Sequence, residues 1–150
     1  MSTQAHYKRP GRVEVNTFHR LVRFLVRHGV SLWGARVLSV RGRKSGELRS
    51  NPVNLLTLDG AEYLVAPRGH TEWVRNLRVA GEGELRVGKR VDRFTAVELP
   101  DADKVPVLRA YLKRWGWEVG MFFDGLDAKS PDEELLAAAA KFPVFRVALT

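Results

Sequence analysis

The residues best suited to chemistry lie in a basic, glycine-bracketed segment between two apolar stretches. Arg43, Lys44, Ser45 and Arg49 all fall within residues 41–52. Arginine offers a fork of donors, lysine a mobile charge and serine a hydroxyl, while glycines let backbone N–H groups approach a ligand. The segment therefore predicts a phosphate site, and a solvated basic hairpin tip explains it equally well. It is not a Walker loop, because Arg43 stands where that motif has glycine before Lys44.

A second candidate cluster follows the next predicted strand. Arg68 and Gly69 precede a short predicted helix that carries Trp73 and Asn76. A glycine before a helix start would bring Arg68 and backbone N–H groups toward the same anion. Trp73 is expected in the core, and Asn76 either lies beside the anion or braces a strand.

The chain has few groups that could catalyse a reaction unaided. It contains no cysteine, which excludes thiolate nucleophiles, disulfides and cysteine-ligated metals. It also lacks the Gly-x-Ser-x-Gly turn of serine hydrolases. His70 has no second histidine or carboxylate at a metal-binding spacing, so no metal site is predicted. Redox chemistry, if present, must come from a bound cofactor.

The elements that would position these residues are predicted to form a mainly β domain of the α+β class over residues 31–150. A hairpin with a charged tip at residues 42–46 is followed by Asp59-Gly60, which predicts a type I′ turn. Short alternating segments predict further antiparallel strands, with helices opening at Pro100 and after a Ser130 cap. This order predicts a small antiparallel barrel, closed or half closed, with flanking helices.

Residues 1–30 are predicted to contain an amphipathic, basic helix. Its apolar stripe either covers a barrel mouth, the favoured interpretation, or makes a peripheral contact with anionic lipid. The stripe consists of Phe18, Leu21, Val22 and Leu25, with Arg20, Arg23 and Arg27 beside it.

The amino-acid composition indicates the broad class of protein. The chain has 150 residues, 45% hydrophobic, and a formal charge of +8, which suits one domain whose surface attracts anions. Without an apolar signal or a membrane-length apolar run, a cytoplasmic protein is expected. Composition leaves monomer and homodimer open.

Several short motifs, taken in order, resemble one known family. Gly42-Arg43-Lys44-Ser45-Gly46 is followed by Arg49 and Asn51-Pro52, then by Ala66-x-Arg68-Gly69 and Trp73-x-x-Asn76-Leu77. As a set, they resemble the deazaflavin-dependent nitroreductase and quinone reductase family, mainly over residues 35–87. The resemblance implies a flavin-reductase-like split β-barrel. It also implies coenzyme F-420 (8-hydroxy-5-deazaflavin) as hydride carrier, and a quinone, nitroaromatic or activated enone as acceptor.

The resemblance also implies roles for individual residues. Arg43, Lys44, Ser45 and Arg49 resemble the group that holds the phosphate and acidic tail of the cofactor. The residues that resemble those lining its ring and linker are Asn51, Pro52, Val53, Ala66, Arg68 and Gly69, with Asn76 beside them.

The C-terminal part departs from the family pattern, which is rich in tyrosine around the substrate. Here Trp115, Trp117, Phe122 and Phe123 occupy that region. They are assigned to an acceptor pocket, with core packing as the alternative. No catalytic proton donor is assigned.

Three other functions stay open at this stage. A basic turn also accepts the phosphate of FMN, so an FMN-binding relative is an alternative. A deazaflavin-binding protein without turnover is a second. A basic nucleic-acid-binding module is the third, but no nucleic acid partner is expected because the aromatic residues are not interleaved with cations on one strand face.

Overall fold

The computed structural model describes residues 34–150, so the helix predicted within residues 1–30 lies outside the described part. Within these described residues there are six strands and three α-helices. The strands are β1 (Ala35–Arg41), β2 (Leu48–Leu58), β3 (Ala61–Val65), β4 (Glu82–Val87), β5 (Arg90–Glu98) and β6 (Val144–Leu149), and the helices are α1 (Glu72–Ala80), α2 (Val105–Val119) and α3 (Asp132–Ala138).

The strands close into one antiparallel barrel in the order β1-β2-β3-β6-β5-β4. Strand β4 returns to pair with β1, which removes the open edges. Asp59 and Gly60 join β2 to β3 with φ angles of 50° and 78°, so the predicted tight turn is confirmed. The predicted mainly β fold, an antiparallel barrel with flanking helices, is confirmed as well.

The barrel interior is filled by apolar side chains from every strand. Leu38, Leu64, Phe94 and Phe145 are almost completely buried there. Helix α1 adds Val74 and Leu77 to the same cluster and so packs against the barrel core.

A second apolar cluster lies between the outer face of β2 and β3 and helices α2 and α3. Trp115, Phe123 and Phe142 are fully buried in it, and the rings of Phe123 and Phe142 stack with centroids 4.1 Å apart. The buried Lys104 binds the Ala139 carbonyl at 3.0 Å and Asp101 at 2.8 Å, which satisfies its charge. None of the helices within residues 34–150 has the length and apolar character needed to cross a membrane.

Two predicted helix starts differ from the structure. Residues 101–103 form a separate 3-10 turn, and α2 begins only at Val105. The predicted Ser130 cap is wrong: Pro131 occupies the cap position and α3 begins at Asp132. The Ser130 hydroxyl instead accepts a hydrogen bond from the Asp127 N–H at 2.9 Å, so the preceding turn uses the oxygen that would have capped the helix.

Candidate functional site

The connection between β1 and β2, residues 42–47, is called the basic loop below. The Gly42 N–H donates to the Glu47 carbonyl at 2.8 Å, and the Gly46 N–H donates to the Gly42 carbonyl at 2.9 Å. The Ser45 hydroxyl accepts the Glu47 N–H at 3.1 Å. Gly46 has a φ of 76°, a backbone conformation that glycine adopts without strain. These bonds give the basic loop a defined shape.

Helix α1 holds the basic loop through Arg43. The oxygen of the buried Asn76 side chain accepts bonds from the Arg43 backbone N–H at 3.0 Å and from its guanidinium at 2.8 Å. The same guanidinium nitrogen lies 2.9 Å from the Glu72 carboxylate. The structure thus brings together Arg43 and Asn76, two site residues predicted from positions far apart in the sequence.

Three cations near the basic loop, Arg43, Lys44 and Arg75, act on the Glu72 carboxylate. The pKa of Glu72 lies below its ordinary value, first because Arg43 donates a hydrogen bond to it and then because of the charge of Arg43, with smaller effects from Arg75 and Lys44. A site that favours the charged form of a carboxyl group also favours other anions. The same cations would favour a bound anion such as a phosphate.

Lys44 and Arg49 are the solvent-exposed cations of this region that were predicted to bind phosphate. Arg49 lies opposite Val40 in the β1–β2 pair, near the start of β2. Asn51 and Val53 lie opposite Leu38 and Arg36 and share their face, whereas Pro52 lies on the other face opposite Val37. The predicted cofactor-lining residues of β2 therefore alternate between the two faces of the sheet.

The connection between β3 and α1, residues 66–71, is called the glycine loop below. The Ala66 N–H donates to the Pro143 carbonyl at 2.9 Å, and the Gly69 N–H donates to the Ala66 carbonyl at 3.1 Å. Gly69 is buried with a φ of 89°, and Arg68 is half-buried. Because α1 carries both Glu72 and Asn76, this loop ends at the helix turn that contacts Arg43.

A polar network that the sequence did not reveal fixes the other side of α1. Arg78 binds Glu98 of β5 through two bonds of 2.7 Å and lies 3.1 Å from the Nδ1 of His70. The Nε2 of His70 lies 3.0 Å from the Ala140 carbonyl. Since Arg78 can only donate, the neutral His70 tautomer with hydrogen on Nε2 satisfies both contacts. His70 thus serves to anchor the helix.

The four aromatic residues assigned to an acceptor pocket are placed differently from one another. Trp115 and Phe123 are fully buried, and Phe122 is 8% exposed within the same core cluster. Trp117 is 64% exposed, and Met121, in the 3-10 turn that follows α2, is 67% exposed. Of the four, Trp117 is therefore the one accessible to a ligand.

A second polar group missed by the sequence analysis joins β2 to α2, and we call it the Asn54 cluster. The Asn54 side chain acts on the pKa of the Tyr111 hydroxyl and on that of the Glu118 carboxyl, favouring the ionised form of each. Burial raises the pKa of both Tyr111 and Glu118. Asn54 within the mainly apolar run from Val53 to Leu58 was the available signal, but Tyr111 and Glu118 lie more than 50 residues away.

Comparison with known proteins assigns the chain to a family. The sequence profile of the F-420H2-dependent quinone reductases matches residues 12–116. No functionally curated protein matches the chain.

Solved structures share the fold at low identity. A domain-swapped dimer is 16% identical with a TM-score of 0.56, covering 90% of this chain and 99% of its own. An F-420-H2 dependent reductase (FDR-A) is 20% identical with a TM-score of 0.51, covering 77% and 94%. A 5-nitroimidazole antibiotic resistance protein from Bacteroides thetaiotaomicron is 10% identical with a TM-score of 0.52, covering 87% and 78%. Because the profile spans most of the chain, the protein belongs to the F-420H2-dependent quinone reductase family.

Proposed function

We propose that the protein binds reduced coenzyme F-420 and promotes hydride transfer from it to an organic acceptor. The observation that carries this proposal is the positive, structured basic loop held against α1, together with membership of a family defined by this cofactor. When bound, the cofactor supplies the hydride, and the protein's part is to bind, orient and exclude water.

The donors around the basic loop fit a phosphate group. Lys44 and Arg49 are exposed and would bind the phosphate directly, while Arg43 is held by Asn76 and Glu72 and would shape the loop. The ring and linker would lie along β2 beside Asn51, Pro52 and Val53, next to the glycine loop with Ala66, Arg68 and Gly69. Trp117 would contact the acceptor, a quinone, nitroaromatic or activated enone.

The test is a titration of the protein with F-420 in which the fluorescence of the cofactor reports binding. Charge-assisted contacts to a phosphate contribute about 1.5–3 kcal/mol each, so Lys44→Ala and Arg49→Ala should each weaken binding about 10-fold or more. Lys129→Ala is the matched control, because it removes the same charge from an exposed position between α2 and α3. Unchanged affinity in both Lys44→Ala and Arg49→Ala would show that the phosphate does not bind here.

A parallel titration with FMN separates the two phosphate-bearing cofactors. Tighter binding of FMN than of F-420 would contradict the proposed cofactor. If F-420 binds but no acceptor is reduced, the protein binds the cofactor without turning it over.

We also propose two associations for the whole chain. One is a homodimer. A structural relative with this fold is a domain-swapped dimer, so the fold is compatible with such an assembly. The other is a contact with anionic lipid through the amphipathic stripe predicted within residues 1–30. Sedimentation with anionic and neutral vesicles at low salt tests the second, and a chain that stays in the supernatant with both contradicts it.

A further inference from the structure

The glycine loop carries residues proposed to line the cofactor, so its position matters for binding. Its own bonds are local: the Gly69 N–H donates to the Ala66 carbonyl at 3.1 Å, and the Thr71 N–H donates to the Gly69 carbonyl at 2.9 Å. These bonds shape the loop. Contacts made by other groups must fix its far end against the rest of the protein.

A capped helix start, which often fixes such a junction, is not found here. Thr71 occupies the N-cap position of α1, where a threonine side chain commonly accepts a backbone N–H of the first turn. Within the residues that the structure describes, its hydroxyl makes no such bond and is buried without a partner. The junction between the loop and α1 therefore depends on the neighbouring residue, His70.

His70 contacts two elements through both nitrogens of its ring. Nδ1 accepts a hydrogen bond from the Arg78 guanidinium at 3.1 Å, and Nε2 donates to the carbonyl of Ala140, just after α3, at 3.0 Å. The backbone carbonyl of His70 also accepts a bond from the Nε of Arg75 at 3.2 Å. The ring thus bridges α1 and the end of α3, with the glycine loop attached to it.

The side chain that holds His70 on α1 is itself anchored to the barrel. Arg78 donates to both carboxylate oxygens of Glu98 on β5 at 2.7 Å, a bidentate geometry that fixes the guanidinium in orientation as well as in distance. Each of the two side chains is 32% exposed, so solvent screens the pair only in part. A continuous set of contacts therefore connects the glycine loop to the barrel wall.

We propose that His70 is a positioning residue of the cofactor site, which determines where the glycine loop presents Arg68 and Gly69 to the ring and linker. The inference rests on the function proposed above. Both ring nitrogens of His70 face protein groups, so its contribution reaches the cofactor through the backbone of the loop.

Substitutions at residue 70 separate the two ring contacts. His70→Leu removes both. In His70→Asn the amide oxygen can replace Nδ1 as the acceptor for Arg78, and in His70→Gln the longer amide can replace Nε2 as the donor to the Ala140 carbonyl. We expect His70→Leu to weaken F-420 binding about 10-fold and each amide variant to weaken it about 3-fold, because each amide restores one bond.

Steady-state kinetics distinguish positioning from a role in the chemical step. In His70→Leu, KM for F-420 should rise about 10-fold, whereas kcat at saturating cofactor should stay within about 2-fold of the wild-type value. Asp132→Asn is the matched control. It breaks the ion pair between α3 and Arg109 of α2, at the opposite end of α3 from Ala140, and should change neither constant.

Two further measurements need no cofactor. Nitrogen-15 NMR of the histidine rings in mildly alkaline buffer should show hydrogen on Nε2 and none on Nδ1 for the ring whose signals disappear in His70→Asn. Hydrogen exchange followed by mass spectrometry should show residues 66–71 exchanging about 10-fold faster in His70→Leu, with no change in Asp132→Asn.

Several outcomes would overturn the inference alone. These are unchanged F-420 affinity or unchanged loop exchange in His70→Leu, a hydrogen on Nδ1, and equal losses of affinity in all three variants, which would mean that ring packing matters rather than the two bonds. If His70→Leu does not fold, both amide variants must bind F-420 less tightly than the wild type. If the wild-type protein binds no F-420, the proposed function fails and the inference fails with it.

Discussion

Arg43 differs from Lys44 and Arg49 because two groups of α1 hold it in place. Asn76 accepts both its backbone N–H and its guanidinium, and Glu72 pairs with the same guanidinium. Lys44 and Arg49 remain exposed beside it. At the scale of single residues, this region thus combines one cation that shapes the basic loop with two that face solvent, Lys44 in the loop and Arg49 in β2.

The role of Asn76 can be tested by removing its oxygen. Asn76→Leu leaves the Arg43 N–H and guanidinium without a buried acceptor, which should lower the free energy of unfolding by about 1–3 kcal/mol. Binding of F-420 should weaken as well, because the loop loses its support. Asn76→Asp keeps an acceptor oxygen and should lose less of both. Urea denaturation and fluorescence titration measure the two effects, and equal losses in the two variants would contradict this role.

Glu72 should oppose anion binding even though it contacts the loop. Its carboxylate is exposed and places a negative charge among Arg43, Lys44 and Arg75. We expect Glu72→Gln to bind F-420 several-fold more tightly with little change in the denaturation midpoint, because exposed ion pairs contribute little to stability. Glu133→Gln, on α3, controls for the change in net charge. Weaker binding by Glu72→Gln would mean that the Arg43 contact matters more than the charge.

At the scale of elements, the start of β1 depends on a glycine. Gly34 has a φ of 100°, and a Cβ there would lie 2.8 Å from the Leu55 carbonyl oxygen and 3.1 Å from the Trp115 ring. Neither the strand backbone nor a fully buried tryptophan can move away easily. This residue therefore lets β1, β2 and α2 approach one another closely.

We expect Gly34→Ala to destabilise the protein by at least about 2 kcal/mol, from backbone strain together with steric overlap. Gly60→Ala is the control, since Gly60 also has a positive φ of 78° but no atom within 4 Å of a built Cβ. It should lose only about 1 kcal/mol. Thermal or urea unfolding of the two variants measures the difference in their loss of stability. Equal losses would mean that backbone strain alone, without steric overlap, explains the effect of Gly34→Ala.

At the scale of the whole molecule, the two apolar clusters hold different elements in place. The barrel interior with α1 positions the basic and glycine loops, and the outer cluster packs α2 and α3 against the barrel. Strand β2 belongs to both, since Leu55 lies in the inner cluster and Leu56 in the outer one. A substitution in β2 therefore affects the packing of both clusters.

The raised pKa of Glu118 predicts a pH dependence of stability. The unfolded carboxyl titrates near 4.5 and the folded one above it, so its stabilising contribution is present below pH 4.5 and is lost as pH rises through the folded pKa. Relative to the wild type, Glu118→Gln should therefore be more stable at pH 7 than at pH 4. Urea unfolding of both proteins at the two pH values measures this, and the same difference at both would refute the raised pKa.

The sequence by itself determined the architecture and much of the basic loop. Alternating apolar residues, Asp59-Gly60 and the glycine-bracketed cations are local signals, and each specifies its own segment without help from distant residues. Those signals led to the barrel and to the family, both of which are confirmed. The assigned roles of the individual site residues stay predictions.

Only the tertiary structure decided which residues meet. Asn76 reaches Arg43 and Arg78 reaches Glu98 across barrel closure and helix packing. The tertiary structure also buried Trp115 while leaving Trp117 exposed, because α2 turns one of its faces to the outer cluster. A sequence period indicates that a helix has an apolar face, but only packing selects the side chains on that face that a ligand can reach.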